Sequence, residues 1–155
     1  MVPVIRPALR NDAGAIGALI RAAYTPWIPR LGREPSPMQD DYDQRITDGQ
    51  VWVLEEDGDL LGVVLLKDGP GTLLIPNIAV APAVQGQGHG HGRRLMAFAE
   101  AEARRRGFAE LRLFVNARLL ENIALYQYLG FAELTRIQGQ DHRHTYLCMA
   151  KSVAS

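Results

Sequence analysis

Apolar and polar positions alternate with two different periods along this chain, and the switches between them mark its elements. Residues 2–9 alternate loosely and predict a first strand. Asn11 or Asp12 can cap a helix that follows, because Ile16, Leu19, Ile20 and Ala23 recur on one helical face as far as about Tyr24. Residues 25–37 hold four prolines beside Trp27, Ile28 and Leu31, which predicts a loop. Ser36 or Pro37 opens a second, short helix through Ile46. Residues 51–55 and 60–67 read as strands around the turn Asp57-Gly58-Asp59, a strong hairpin signal. Residues 72–80 form a fourth strand, in which Pro76 removes a ladder donor and implies a bulge or an edge position.

Helical periodicity returns over residues 93–106, with Leu95, Phe98, Ala99 and Ala103 on one face. Gly107 suits the C-terminal cap, and the three arginines before it suit the negative end of the helix dipole. A strand over 109–115, a helix over 121–129 and strands near 131–138 and 142–151 complete the chain. Seven strands and four helices in this order predict an α/β fold on a mixed sheet. Only the strand-helix-strand unit over 72–115 needs a parallel pair, because it contains a crossover helix.

Composition narrows the classes. A chain of 155 residues fits a single domain and buries a real core. No repeat, low-complexity tract or domain boundary interrupts it. Seventeen basic residues balance seventeen acidic ones, which argues against a nucleic-acid binder that works by phosphate neutralisation. The lone Cys148 has no partner for an internal disulfide, so a reducing compartment and a buried, unreactive thiol are expected. No apolar run is long enough to span a bilayer and no secretory h-region opens the chain, so a cytoplasmic protein without membrane contact is expected.

Candidate chemistry concentrates in residues 84–95, where four glycines at alternating positions separate a strand from a helix. Glycine backbone approaches an anion closely, and the helix start adds roughly half a positive charge, so a phosphate-bearing ligand is expected. A P-loop would need Lys and a hydroxyl after its last glycine, where this chain has Arg93-Arg94. A dinucleotide fold would need an acid at the end of the next strand, which reads Phe114-Val115-Asn116.

The pattern Gln85-Gly86-Gln87-Gly88-His89-Gly90 resembles the acyl-CoA loop of the GCN5-related N-acetyltransferase (GNAT) family. The stretch from Glu121 and Asn122 through Tyr126 to Gly130-Phe131 is similar to that family's second signature. The resemblance implies a GNAT-like, mostly antiparallel seven-stranded sheet whose fourth and fifth strands form a splayed parallel pair admitting the cofactor's pantetheine arm. It also implies acetyl-CoA as co-substrate and direct acetyl transfer to a primary amine.

On that reading, Gln85 to Gly92 with Arg93 and Arg94 hold the pyrophosphate, while Ile78, Ala79 and Val80 line the cofactor and the N–H of Val80 or Ala79 is offered to the thioester oxygen. The loop template also fits two residues along, over 87–92, so both registers stand. Tyr126 falls where the family places its acid for the departing thiolate; a half-buried core aromatic is the plainer reading. The signature's Asn would fall at Leu119, and Asn122 is its replacement one helical turn on.

The acid that many members carry before the loop is missing, since that neighbourhood reads Ile75-Pro76-Asn77. The base is left open between a water chain relayed by Asn77 or a backbone carbonyl and an imidazole, His142 or His144, because the last strand in the family runs beside the fifth. The pairs His89/His91 and His142/His144 raise a zinc site, but no Cys or Asp completes a set, so no metal is expected. Substrate contacts are expected from Tyr24, Trp27, Arg33 and Met38, with Asn77 and His144. The partner is then a small-molecule or peptide amine acceptor, and a homodimer is compatible with the sequence. A non-catalytic acyl-CoA-binding or sensing module is the rival reading.

Overall fold

A computed structural model describes residues 2–85, 89–140 and 142–153. Among them are seven strands, β1 (Val4–Pro7), β2 (Val51–Glu56), β3 (Asp59–Gly69), β4 (Thr72–Val80), β5 (Glu110–Asn116), β6 (Ala132–Gln138) and β7 (Thr145–Ser152). The α-helices are α1 (Ala13–Tyr24), α2 (Ile28–Leu31), α3 (Tyr42–Thr47), α4 (His91–Arg105) and α5 (Leu120–Tyr128). The strands form one sheet in the order β1-β2-β3-β4-β5-β7-β6, with only the β4–β5 pair parallel. The expected mixed sheet and its crossover helix are both present.

The chain divides into two compact units, residues 1–66 with 77–99 and residues 67–76 with 100–155. In the first, the β2–β3 hairpin turns at Asp57 and Gly58, both at positive φ, as a type I′ turn requires. Ile16, Leu19 and Ile20 of α1 and Tyr42 and Ile46 of α3 join Val51, Val53, Val63, Leu65 and Ala79 in one core cluster. Gly62 on β3 admits α4: a Cβ there would lie 2.8 Å from Leu95 Cδ1 and 3.1 Å from the Ala79 carbonyl oxygen.

In the second unit, β5 pairs along its whole length with β7, from Glu110↔Ser152 to Asn116↔Tyr146. Its parallel register with β4 covers Leu73↔Leu111 and Leu74↔Arg112. Pro76 lies two residues past that run, on a strand with a neighbour on either side. The edge expectation is therefore corrected, since a prolyl N–H is missing where no ladder bond is called for. The C-terminus of α4 closes on Gly107 at φ +82, with Phe108 N donating to Ala103 O and Gly107 N to Arg104 O, a Schellman motif. Cys148 is buried on β7, and burial pushes its thiol pKa up.

Three further expectations are corrected. Residues 25–37 are not all loop: Thr25–Trp27 is a 3-10 turn and α2 follows directly. Pro26 and Pro29 fall in the first turns of these segments, where no N–H is needed. The helix expected through Ile46 is broken, because Asp40 and Asp41 are extended and Asp41 caps α3 by accepting from Gln44 N at 3.1 Å. Helix α4 starts two residues earlier than its apolar stripe, so His91 and Gly92 are helical and not loop.

Candidate active site

In the first unit, the N-terminus of α4 carries the described part of the glycine loop. Gly90, at φ +70, accepts from Arg94 N at 3.0 Å and so stands at the N-cap, while Gly92 lies inside the first turn. Gly86, Gln87 and Gly88, expected at the cofactor phosphates, lie outside the described residues. No acidic residue occupies the first turn. The partial positive charge of the helix start is therefore not offset from within that turn, and Arg93 and Arg94 add to it.

His91 is buried at 7% exposure, and its ring stacks on that of His89 at 5.5 Å between centroids. Arg94 Nη1 lies 3.3 Å from His91 Nδ1. A guanidinium only donates, so Nδ1 accepts and the neutral ring carries its proton on Nε2. Burial, then the charges of Arg94 and His89, hold the imidazole pKa below its ordinary value.

Gln85 turns back, its Nε2 donating to Val80 O at 2.8 Å. Burial alternates without a break from Leu73 to Val80, and Ala81 N donates to Leu61 O at 2.8 Å on β3. The two-residue period of a strand then aims the Ala79 N–H at β3 and leaves those of Ile78 and Val80 on the opposite edge. Of the two expected oxyanion donors, Val80 is the better placed.

Asn77 is buried at 5% exposure, and its amide joins two phenols. Tyr24 Oη donates to Asn77 Oδ1 at 2.5 Å, and Asn77 Nδ2 donates to Tyr42 Oη at 3.4 Å. Tyr42 Oη in turn donates to the Pro37 carbonyl. That carbonyl can only accept, which fixes the direction of the whole chain of bonds. Burial raises the Tyr42 phenol pKa well above its ordinary value. That Tyr42 and Pro37 meet Asn77 was not expected from the sequence, because nothing in their spacing shows that they converge on β4. Met38 packs on the core cluster, Trp27 lies under the Arg30 guanidinium at 5.1 Å, and Arg33 is exposed.

In the second unit, His144 lies just before β7 and not on the strand, while His142, at φ +58, is exposed. His144 is buried at 4% exposure with Nδ1 2.9 Å from Asn116 Nδ2. Asn116 Oδ1 accepts from Arg118 N at 2.9 Å, so the Nδ2 face is the one turned to His144. An amide NH2 only donates, hence Nδ1 accepts and the neutral ring is the Nε2–H tautomer. Protonating Nδ1 would set two donors against each other, which disfavours His144 as a base. Asn116 sets this orientation, and in the sequence its only signal is the lack of an acid at the end of that strand.

Tyr126 is half-buried on α5, edge-on to Phe131 at 6.0 Å, and burial pushes its phenol pKa up to about 12. Asn122 lies one turn before it, and Tyr128 is 71% exposed on another face. Among the described residues no group of three or more His, Cys, Asp or Glu could hold a metal ion, and no helix is long and apolar enough to cross a membrane.

A search of curated proteins finds no match. The ribosomal-protein-S18-alanine N-acetyltransferase from Escherichia coli has a similar structure at TM-score 0.77 and 24% identity, over 99% of this chain and 96% of that one. PaiA N-acetyltransferase from Thermoplasma acidophilum, solved in complex with coenzyme A, is similar at TM-score 0.78 and 16% identity, over 98% and 99%. YncA from Salmonella typhimurium, solved with its cofactor acetyl-CoA, is similar at TM-score 0.73 and 23% identity, over 100% and 96%. At such identities the likeness speaks for the fold. The family model described as Acetyltransferase (GNAT) family matches residues 16–131 of the sequence itself. Matched by that model over most of its length, the chain belongs to the acetyltransferase (GNAT) family.

Proposed function

We propose that this protein is an acetyl-CoA-dependent N-acetyltransferase that moves the acetyl group directly to a primary amine of a small molecule or a peptide. The observation that carries the reading is the start of α4, a long helix whose first turn holds Gly92, Arg93 and Arg94 and no acid. Relatives of the same fold solved with coenzyme A and with acetyl-CoA support that cofactor, and one named for the alanine of a ribosomal protein supports an amine acceptor.

In this reading the first-turn amides of α4 and the two guanidinium groups bind the pyrophosphate. The Val80 N–H faces the oxygen that becomes negative when the amine attacks the thioester carbon. A C–N bond forms, the C–S bond breaks, and Tyr126 hands its phenolic proton to the departing sulfur, while the amine's surplus proton passes to water and a proton from water restores the phenol. Its raised pKa keeps the phenol protonated at neutral pH.

Thermal unfolding with acetyl-CoA, beside NADH and ATP as controls, tests the reading. A one-site binder at about 100 times its dissociation constant gains roughly 2.7 kcal/mol, a shift of several degrees for a domain of this size. A shift with acetyl-CoA alone supports the proposal; no shift sinks it.

A further inference from the structure

Arginines elsewhere in the chain are held by carboxylates, Arg45 by Asp40 at 3.0 Å and Arg105 by Glu102 at 2.7 Å among them. Arg94 is held differently. Among the described residues its guanidinium has no acidic partner, and the group that fixes it is the His91 ring, with Nη1 3.3 Å from Nδ1. A carboxylate would fix a guanidinium and cancel its charge. A neutral imidazole nitrogen fixes it, leaves the charge whole and leaves the other N–H groups of the fork to another acceptor.

Position along α4 decides where that charge sits. His91 opens the helix and Arg94 follows three residues on, so the two lie on one face. Helix side chains lean toward the N-terminus, and the bond to His91 draws the guanidinium back over the first turn. Gly90 and Gly92 stand on either side of His91 without side chains, and nothing lies within 4 Å of a Cβ built on either. The His91 ring is buried and stacked on His89, which makes it a fixed anchor for an exposed, long side chain. A cation fixed at this end of a helix works against the dipole, a cost that a bound anion offsets.

Building on the acetyltransferase reading, we propose that His91 is a positioning residue, which holds the Arg94 guanidinium over the first turn of α4 for the pyrophosphate of acetyl-CoA. Arg94 touches the cofactor, and His91 acts only through Arg94. Without the anchor a free arginine side chain has to be ordered when the cofactor binds, which costs roughly two- to tenfold in affinity.

The test is a double-mutant cycle on the acetyl-CoA dissociation constant, measured by calorimetry at pH 8, where the lowered His91 pKa keeps the ring neutral. His91→Phe keeps a ring against His89 and loses the acceptor nitrogen; it is expected to weaken binding roughly two- to tenfold. Arg94→Gln is expected to weaken it on the order of tenfold or more, for the loss of a charge-assisted bond. In the Arg94→Gln background, His91→Phe should then change nothing further. His91→Leu repeats the comparison without a ring, and Tm shows that each variant is folded. An equal loss from His91→Phe in both backgrounds means that the ring supports the helix or meets the cofactor itself, and overturns the inference. So does a wild-type constant in His91→Phe or in Arg94→Gln. If acetyl-CoA does not bind the wild type at all, it is the acetyltransferase reading that falls, and the inference with it.

Discussion

Tyr126 and Tyr128 differ by two positions on one helix, and that separation gives their phenols opposite surroundings. Tyr128 stands in solvent, whereas Tyr126 is packed edge-on against Phe131 with its phenol pKa pushed up to about 12. Replacing Tyr126 with Phe is expected to lower turnover by about 10²–10⁴ and to leave the acetyl-CoA thermal shift nearly unchanged. A phenol acting in its protonated form should also give no descending limb in turnover below about pH 11. Turnover that survives the substitution would assign the proton to another donor. The motif around Tyr126 was readable in the sequence; the orientations of His144 and Asn77 were not. Each depends on a partner far along the chain, Asn116 for one and Tyr42 for the other.

At the level of the element, α4 has to serve two ends. Its apolar stripe seats Leu95, Met96 and Ala99 in the core, and in the proposed function its first turn receives an anion. Gly62 makes the first possible by letting Leu95 close on β3. A methyl group there would meet a fully buried side chain and a backbone oxygen, neither free to yield, so Gly62→Ala is expected to cost about 1–3 kcal/mol. The readout is Tm. Gly92 is the opposite case, since nothing lies within 4 Å of a Cβ built on it. Gly92→Ala should stabilise α4 by roughly 0.5–1 kcal/mol through helix propensity. It should weaken acetyl-CoA binding if the cofactor approaches that backbone. A higher Tm with an undiminished acetyl-CoA shift would place the phosphates elsewhere on the loop.

For the molecule as a whole, the perturbed groups bracket a window of stability. His91 is held below its ordinary value of 6.5, so the folded state favours its neutral form. That contribution is present above pH 6.5 and is lost as pH falls through the lowered value. Asp12, held down mainly by Arg6, and Glu102, held down mainly by Arg105, extend the loss to lower pH in the same sense. Tyr126 is raised from 10.0, so its contribution is complete below pH 10 and disappears as pH climbs toward about 12, with Tyr42 acting the same way. The buried Cys148 thiol, raised from 9.0, acts in the same sense from a lower pH, so Tm should be level from about pH 7 to 8.5 and decline on both sides. His91→Gln should remove the uppermost part of the acid limb; an unaltered limb would mean that His91 is not what starts it.

The sequence by itself determined the elements whose signals are local. Periodicity marked β4 and the face of α4, Asp57-Gly58 marked the hairpin, and Gly107 marked the helix end, because each reflects the backbone preferences of neighbouring residues. It also carried the two motifs that place the chain in its family. Only the tertiary structure decided where His91 and His144 stand, which N–H of β4 faces away from β3, and that Asn77 is held between two phenols. Those are hydrogen bonds between residues 35 and 53 positions apart in the case of Asn77. Hydrogen-bond direction across such distances depends on which groups meet after folding, and no local pattern of residues encodes it.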